Sequence, residues 1–515
     1  MNAVLEELVK QALVGTGRAP EKVTFTGQLG QAIGSLPAGS PETMLLQTAA
    51  LCSAYQRCGQ KPTTAALEAN LASADHLAES SPRAGQIVDQ LLAAPDSQIS
   101  QHLIVEWFQH ASASNQRVPH WLLPRVLDYA AGHKRWRSVI IPTIDVRGEW
   151  LMKLNSRWQF AMTADADVDQ IWQTGNQDQR RTAIRQLRET DSTRARSLIE
   201  STWDQDAAEE RVDFIESLAI GLGPTDEPIL EKVLDDKSKR VRLAAAELLT
   251  ALPQSAFVRR MTERAIPLLN FVPPVAGQIL KLKRAKPATI DVTLPPEQFD
   301  KALVKDGIVE KPTENMGIRQ WWLLQIISFV PPLTWTMRWN LTPEQCIEAL
   351  GEFGDVVFRG WQLAAKRCSD QAWLRTLTLA AVKENIEKLD LSVLNILHRT
   401  DQLEVLTLIA ESPRTELDAL VRILDASKCE LDRRATLAVI DKIEYQLSLK
   451  AAAYQYHLAQ LLQNLALRVP PQMHDELTTR WADQKWEANR KALDQFFELL
   501  VLRRDMKREF STHER

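Results

Sequence analysis

The hydrophobic and polar positions of the chain repeat with a period of 31 residues between residues 165 and 252. Arg180, Arg211 and Arg242 follow one another at that interval, and apolar residues keep the same register. Within each copy the apolar positions fall on one face of each of two consecutive helices. The apolar columns are Val168, Ile199 and Leu230; Trp172, Trp203 and Leu234; Ala183, Phe214 and Ala245; Ile184, Ile215 and Ala246; and Leu187, Leu218 and Leu249.

Short polar breaks separate the two helices of each copy, and they carry the turn and cap residues of a helical hairpin. They are Thr174-Gly175-Asn176, Asp204-Gln205-Asp206 and Asp235-Asp236-Lys237-Ser238. The third copy, residues 234–249, resembles a HEAT repeat: an Asp lies in the turn, and Val-Arg opens a helix with paired Ala and paired Leu. One hairpin cannot bury its apolar stripe alone, so the copies must stack into a curved superhelix with a concave binding face. The sequence therefore predicts an all-α, HEAT-like α-solenoid.

The repeat also predicts individual contacts. We expect each Arg of the column to pair with the turn Asp of its own or a neighbouring copy, which would stabilise the stack. The side chains expected between stacked hairpins are Val168, Trp172, Ile184, Leu187, Ile199, Trp203, Phe214, Ile215, Leu218, Leu230, Leu234, Leu248 and Leu249.

Outside the repeat the chain divides into further regions. Residues 1–160 are interpreted as an N-terminal helical array, with helices at 42–56, 63–76, 83–93, 98–112 and 119–131. Residues 161–266 hold the repeats, and residues 317–515 form a C-terminal helical array. Between them, residues 267–316 are rich in proline and contain an alternating, strand-like stretch at Thr289–Leu294. This region predicts an irregular insertion or hinge that interrupts the solenoid.

Charge and cysteine usage narrow the classes of partner. Lys and Arg number 62 against 66 Asp and Glu, a net charge of −4 that gives no reason to expect a polyanionic partner. The five cysteines are scattered and never form CxxC, so we expect reduced thiols in a cytoplasmic protein. The N-terminus has acids where a signal peptide needs basic residues, and the most apolar stretch, residues 321–330, ends at Pro331-Pro332, too short to span a membrane.

The sequence contains no motif that predicts catalysis, a cofactor or a metal. Gly15-Thr16-Gly17-Arg18 lacks the spacing of a phosphate-binding loop, and no histidine pair has metal-ligand spacing. We expect no enzymatic activity. A hydrolase site built in the insertion is a third reading, but it needs a His or Cys, and residues 267–316 contain neither.

Two groups of residues are candidates for contact with a partner. The basic run around Arg135, Trp136 and Arg137 mixes cations with an aromatic ring, as surfaces for nucleic acid or acidic peptides do. Such runs are more often solvated faces. Tryptophans also crowd after the insertion, where they could anchor a partner or pack the insertion against the second helical half: Trp321, Trp322, Trp335 and Trp339.

Several strings resemble a bacterial family known only as a domain of unknown function. They are residues 12–18, Arg147-Gly148-Glu149-Trp150-Leu151, Asn155-Ser156-Arg157-Trp158, Asp306-Gly307-Ile308, Trp321-Trp322-Leu323-Leu324-Gln325 and Gly360-Trp361. The family is similar to HEAT-repeat proteins. Its members are often encoded beside a MoxR-type AAA+ ATPase, a von Willebrand A-domain protein and a SWIM zinc-finger protein, which the resemblance implies as partners. An acidic residue is usual in the family where this chain has Gly17.

Two functions remain open. The first is a non-enzymatic scaffold or adaptor that binds such protein partners. The alternative is a HEAT-like protein that binds nucleic acid on a basic concave face. The distribution of Arg and Lys over the folded surface separates them, because a continuous basic face favours nucleic acid and a mixed or apolar face favours protein.

Overall fold

The computed structural model describes residues 2–16, 25–58, 72–158, 168–275, 286–384, 389–450, 455–482 and 490–511. The chain divides into two units, Met1–Leu71 and Ala72–Arg515. Helices dominate both, and in the described ranges β structure is limited to two short strand pairs and two isolated bridges. The prediction of an all-α, solenoid-like fold is confirmed.

The described part of the first unit, residues 2–16 and 25–58, contains three helices around a small core of Leu8, Leu29 and Cys52. The last helix confirms the prediction at 42–56. The predicted helix at 63–76 is wrong for residues 72–76, which are not helical. Residues 63–71 lie outside the described residues. The helices are α1 (Asn2–Val14), α2 (Gly27–Gly34) and α3 (Pro41–Cys58).

The second unit begins with a bundle whose core is separate from that of the repeats. Ser81 caps its first helix by accepting a hydrogen bond from the Ala84 N–H (3.0 Å), and the buried Trp107 indole donates to the Ala84 carbonyl (2.9 Å). One parallel strand pair closes the bundle. The elements are β1 (Ala78–Glu79), α4 (Pro82–Ala93), α5 (Gln98–Ala113), β2 (Gln116–Arg117), α6 (Leu123–Gly132), α7 (Arg137–Ile140) and α8 (Asp145–Leu154).

Three helical hairpins follow in the predicted register. Asn176, in the first predicted break, forms a capping box with Gln179: each side-chain oxygen accepts the backbone N–H of the other residue, at 3.0 and 2.9 Å. A seventh helix packs on the third hairpin. The elements are α9 (Val168–Thr174), α10 (Gln177–Thr190), α11 (Ser192–Thr202), α12 (Ala208–Ser217), α13 (Glu227–Val233), α14 (Lys239–Thr250) and α15 (Ala256–Ala265).

The predicted core positions of the repeat are confirmed for ten of the thirteen residues, which are buried. Phe214 and Ile215 are fully buried, and the Phe214 ring packs against Trp172 with centroids 4.9 Å apart. Val168, Trp203 and Leu248 are only partly buried, although they pack against the same core. The period therefore located the inner face of the hairpins correctly, and the exceptions lie at its margin.

The Arg column forms a ladder between copies, as predicted. Arg180 donates to the turn carboxylate Asp206 of the next copy (2.8 Å), and Arg211 donates to Asp236 of the copy after that (3.2 Å). Arg242 has no further copy to reach, and it donates to the backbone carbonyls of Asp236 (2.6 Å) and Val304 (3.2 Å). The ladder thus ends where the insertion begins.

The insertion packs an antiparallel strand pair and a short helix against the repeats. Its second strand confirms the predicted extended stretch. The buried carboxylate of Asp306 accepts hydrogen bonds from Arg260 (2.9 Å) and Arg264, both on α15. The elements are β3 (Leu269–Val272), β4 (Thr289–Val292) and α16 (Ala302–Lys305).

The remaining helices continue the array. Gly360 lets two of them approach closely, because a Cβ there would lie 2.8 Å from Ile327 Cγ2. They are α17 (Ile318–Ser328), α18 (Leu333–Trp339), α19 (Pro343–Glu348), α20 (Gly354–Cys368), α21 (Gln371–Glu384), α22 (Arg399–Glu411), α23 (Leu417–Ala426), α24 (Arg433–Lys450), α25 (Gln455–Ala466), α26 (His474–Arg480) and α27 (Arg490–Ser511).

The last helix returns to the first bundle of the second unit. Arg503 of α27 pairs with Glu106 of α5 through hydrogen bonds of 2.8 and 2.9 Å, and it also donates to the carbonyls of Ala466 and Val469. Phe510 packs edge-on against Trp107, with centroids 5.3 Å apart. We call these contacts the closure. Among the described residues, no helix is both long and apolar enough to cross a membrane.

Candidate protein-binding groove

The basic run is largely occupied by contacts within the chain. Lys134 pairs with Asp178. Arg137 donates to the carbonyls of Ala130 (2.9 Å) and Ala131 (3.1 Å) near the end of α6. Such bonds satisfy carbonyls that a helix end leaves without partners. Arg137 therefore stabilises the end of α6, and these bonds do not support a contact with a partner.

Arg135 and Trp136 keep part of their surface accessible. The Arg135 guanidinium lies 4.6 Å from the centre of the Trp136 ring and donates to Gln101, while the Trp136 ring packs against the core of the first bundle. The prediction that these two residues contact a partner stays a prediction.

Three of the four tryptophans that crowd after the insertion are buried, which favours packing over the partner anchor that was the other expected use. Trp321 and Trp322 are buried, and their indole N–H groups donate to the carbonyls of Val309 and Glu310, both at 2.8 Å. Trp335 is fully buried. These rings pack the insertion and the second helical half, because a large apolar ring gains most when it is removed from water.

Trp339 is half-buried, and its ring lies between those of Trp335 (5.1 Å) and Phe271 (6.1 Å). Its use as a partner anchor is therefore still a prediction.

A groove not anticipated from the sequence lies among α17, α19, α20 and α21. It holds a cavity of about 810 Å³ and continues into a second cavity of about 500 Å³. Asp355 and Phe358, on α20, line both cavities. Apolar side chains form the floor of the larger one: Ile347, Leu350, Val356, Phe358, Leu379 and Ala380. Together the two cavities run beside α20 from Gly354 to Leu363.

Carboxylates line the groove beside this apolar floor. Glu344 and Glu348 are one turn apart on α19, Asp355 lies in the first turn of α20, and Glu384 ends α21. Lys383 is the one cation lining the larger cavity among the described residues. The local charge is therefore negative.

Glu344 is held in its ionised form by local hydrogen bonds. A bond from its own backbone is the main influence that lowers the pKa of Glu344, against the opposing effect of burial. The Thr376 hydroxyl also donates to its carboxylate (2.9 Å) and lowers the pKa further. One negative charge of the groove is thus fixed in position.

The groove is shaped by a strained turn between α19 and α20. Phe353, which precedes α20, has a φ of 60°, a left-handed conformation that a bulky residue rarely adopts. The preceding Gly351 approaches β4 so closely that a Cβ would lie 2.9 Å from the Thr289 hydroxyl. Strain of this kind is often retained at functional sites. It places Phe353 and Asp355 together on the groove wall.

A second polar cluster lies at the start of the second unit. The His120 Nε2 atom is 2.6 Å from the buried Asp75 carboxylate, and Arg147 donates to the other ring nitrogen of His120 (3.1 Å). Burial raises the pKa of Asp75, but bonds from Arg147 N–H and His120 and the charge of Arg117 outweigh it and lower that pKa. A histidine oriented by a carboxylate is part of many hydrolytic sites. Here both ring nitrogens are already bonded within the chain, so the cluster ties β1 and its neighbours together.

The groove was not predictable from the sequence. Its acids come from three consecutive helices, α19, α20 and α21, and only the packing of these helices brings the acids to one groove. They do not have the spacing of a metal-binding, phosphate-binding or nucleophile motif. Across the described residues, no group of three or more His, Cys, Asp or Glu side chains could hold a metal ion. The geometry is that of an open groove with an apolar floor and acidic margins.

The fold and the groove define a helical array with an open amphipathic surface. Residues 7–510 match the profile of a family of unknown function, DUF5691, and the chain belongs to that family. No curated protein and no solved structure shows a recognisable match.

Several of the sequence motifs that resemble the family make structural contacts. Asp306 binds α15, Gln325 holds the Val309 backbone through its side-chain amide, and Gly360 allows α20 to approach α17. They fix residues 306–310 between the repeats and the second half, and we call this region the joint.

Proposed function

We propose that this protein is a non-enzymatic scaffold or adaptor that binds other proteins, with a MoxR-type AAA+ ATPase and a von Willebrand A-domain protein as its first candidate partners. A SWIM zinc-finger protein is a third candidate. The observation that carries the proposal is the open groove, which joins an apolar floor to several carboxylates. Surfaces of this kind recognise segments of proteins, because apolar contacts supply affinity and charges select the partner.

The architecture supports the same reading. Stacked hairpins with an Arg–Asp ladder are typical of HEAT-like repeats, and we assign the three copies to that type. Such arrays present extended surfaces, and each repeat adds area without a closed pocket.

Nucleic-acid binding is the second candidate, and the basic run around Arg135 is the observation in its favour. Against it, Lys134, Arg125 and Arg117 all pair with carboxylates of the chain. A cation already paired within the protein releases fewer counterions from a phosphate backbone, and that release drives most nonspecific affinity for DNA. The observations therefore favour protein over nucleic acid.

Co-expression with each candidate partner, followed by size-exclusion chromatography at moderate salt, tests the proposal directly. We expect co-elution with the AAA+ ATPase or the von Willebrand A-domain protein. A duplex DNA fragment is run in parallel as the competing ligand. Co-elution with DNA alone, weakening steeply as salt rises, would assign the protein to the nucleic-acid class instead.

The proposed lack of enzymatic activity needs its own measurement. The isolated chain should not hydrolyse ATP, whereas a mixture with the ATPase partner should show that partner's rate or a modified one. Turnover by the isolated chain that persists through successive purification steps would contradict the proposal.

A further inference from the structure

We infer that the groove binds a basic, apolar peptide segment of a partner protein, in which lysine or arginine alternates with aliphatic residues. This inference rests on the proposed function and names the chemistry of the partner. It follows from three features of the groove: its charge, its floor and its length.

The charge of the groove selects a basic ligand. Four carboxylates and one ammonium group line the larger cavity, and the Glu344 carboxylate is fixed by its hydrogen bonds. Glu348 and Asp355 are exposed at the surface. An acidic segment would meet like charges at short range, and such contacts oppose binding at an interface.

The floor selects a ligand with apolar side chains. Leu379, Ala380 and Phe358 are only partly buried in the free chain, so their remaining apolar surface faces the groove. Aliphatic side chains placed there would be removed from water. Lysine and arginine suit the margin, because their methylene stems lie along apolar surface while the charged end reaches a carboxylate.

The length selects a peptide rather than a small cation. The two cavities meet at Asp355 and Phe358 and extend along α20 towards Leu389 and Asp390. In the second cavity Arg359 is already paired with Glu314, and Asp390 with Lys366. The smaller cavity therefore lengthens the groove but adds little net charge. We expect the cations of the ligand to lie mainly in the larger cavity.

Fluorescence anisotropy with a labelled, end-capped peptide of alternating leucine and lysine tests this inference on the full chain. A peptide of about ten residues, roughly 33 Å when extended, is long enough to follow both cavities. We expect saturable binding that weakens with salt. A leucine–glutamate peptide and a serine–lysine peptide of equal length should bind much more weakly, since each lacks one of the two recognised features.

Two variants assign the binding to the groove. Glu348→Gln combined with Asp355→Asn should weaken binding about tenfold, the effect of losing two exposed ion pairs. The matched control is Glu189→Gln combined with Glu200→Gln, which removes the same charge from exposed positions of α10 and α11. Ala380→Phe, which narrows the floor without changing charge, should also weaken binding. Thermal melts should show that all three proteins remain folded.

Other outcomes overturn the inference. Equal weakening by the control pair would mean general attraction to an acidic surface, and equal affinity for the leucine–glutamate peptide would mean no charge selection. Residues 279–286 of this chain are themselves basic and apolar. If the peptide binds only after they are replaced by a glycine–serine stretch, the occupant is this chain and not a partner.

The same variants separate this inference from the proposed function. If a candidate partner co-elutes with the Glu348→Gln, Asp355→Asn protein as well as with the original chain, and the peptide does not bind, the scaffold proposal stands and the groove inference fails. If no candidate partner binds either protein while the peptide binds as expected, the named partners fail and the groove inference stands.

Discussion

The three stacked hairpins and the joint are held together by different kinds of polar contact. In the hairpins an Arg of one copy reaches the turn Asp of the next, so Arg180 and Arg211 make equivalent bonds. In the joint the contacts occur once each: Asp306 binds two arginines, and Trp321 and Trp322 donate to backbone carbonyls. The hairpins therefore use the same Arg–Asp bond in successive copies. In the joint, each side chain makes a contact that occurs nowhere in the repeat. The groove lies beyond the joint, in the part of the chain without a repeat.

The largest expected effect tests whether repetition or burial decides the strength of a contact. Arg188 lies on α10 but outside the repeat register, and its fully buried side chain binds Asp226 (both contacts 2.9 Å) and three carbonyls. Arg188→Ala should lower the free energy of unfolding by about 3–5 kcal/mol, because it leaves the Asp226 carboxylate buried with less compensation. Chemical denaturation measures the change. The exposed Arg185 on the same helix is the control, and Arg185→Ala should change stability by less than about 0.5 kcal/mol.

Phe214→Ala tests the apolar side of the repeat. Phe214 is fully buried against Trp172, so its truncation should leave a cavity and cost about 3–5 kcal/mol. Leu248→Ala, at a partly buried position of α14, should cost clearly less. Equal losses at the two positions, measured by thermal melting, would contradict the assignment of an inner and a marginal face.

Low pH should weaken the closure, a set of contacts, chiefly between α27 and α5, that involves neither the hairpins nor the joint. Burial and then the charge of Arg468 lower the pKa of His102 to about 4, so the folded state holds this histidine neutral. Burial raises the pKa of Glu106, but His110 and Arg503 more than offset it and lower that pKa to about 2.

The signs of both shifts agree. The unfolded chain binds a proton at His102 near pH 6.5 and at Glu106 near pH 4.5, so stability falls as pH drops from about 6.5 to 4 and further towards 2. His102 contributes on the order of 3 kcal/mol over its range. Melting temperatures across this range should fall less steeply for His102→Gln. His76→Gln, at an exposed position outside the closure, is the matched control for the replacement itself.

Gly360→Ala tests the fit of α20 on α17. The added Cβ would meet Ile327 at 2.8 Å, and overpacking of this kind costs about 1–3 kcal/mol. Gly132→Ala, where a Cβ meets nothing within 4 Å, is the control and should be neutral or slightly stabilising. If both changes were neutral, the contact between the two helices would be looser than described.

The smallest effect compares the middle and the end of the Arg ladder. Arg211→Ala removes a bond to the Asp236 carboxylate, whereas Arg242→Ala removes bonds to carbonyls only. Because bonds to charged groups are stronger, the first change should cost about 2 kcal/mol and the second about 1 kcal/mol. A reversed order in denaturant midpoints would mean that the end of the ladder depends on the insertion more than on the repeat.

The repeat was predictable because its evidence is local and occurs three times. The register of Ile184, Ile215 and Ala246 located the inner face, and the turn residues located Asp206 and Asp236 as partners of the Arg column. The strand at Thr289–Val292 was predictable from alternation. Tryptophans were harder: their size indicated importance, but sequence alone did not distinguish a buried ring such as Trp335 from an accessible one.

The sequence by itself therefore determined the helical class, the hairpin period and the strand at Thr289–Val292, since each follows from the spacing of side chains along one stretch of chain. Only the tertiary structure decided that Arg503 closes on Glu106, that Asp75 orients His120, and that the carboxylates of three helices meet above one apolar floor. These contacts join side chains of different helices and segments, as with Arg503 and Glu106. Their geometry depends on how helices pack, which no local pattern of hydrophobic and polar residues specifies.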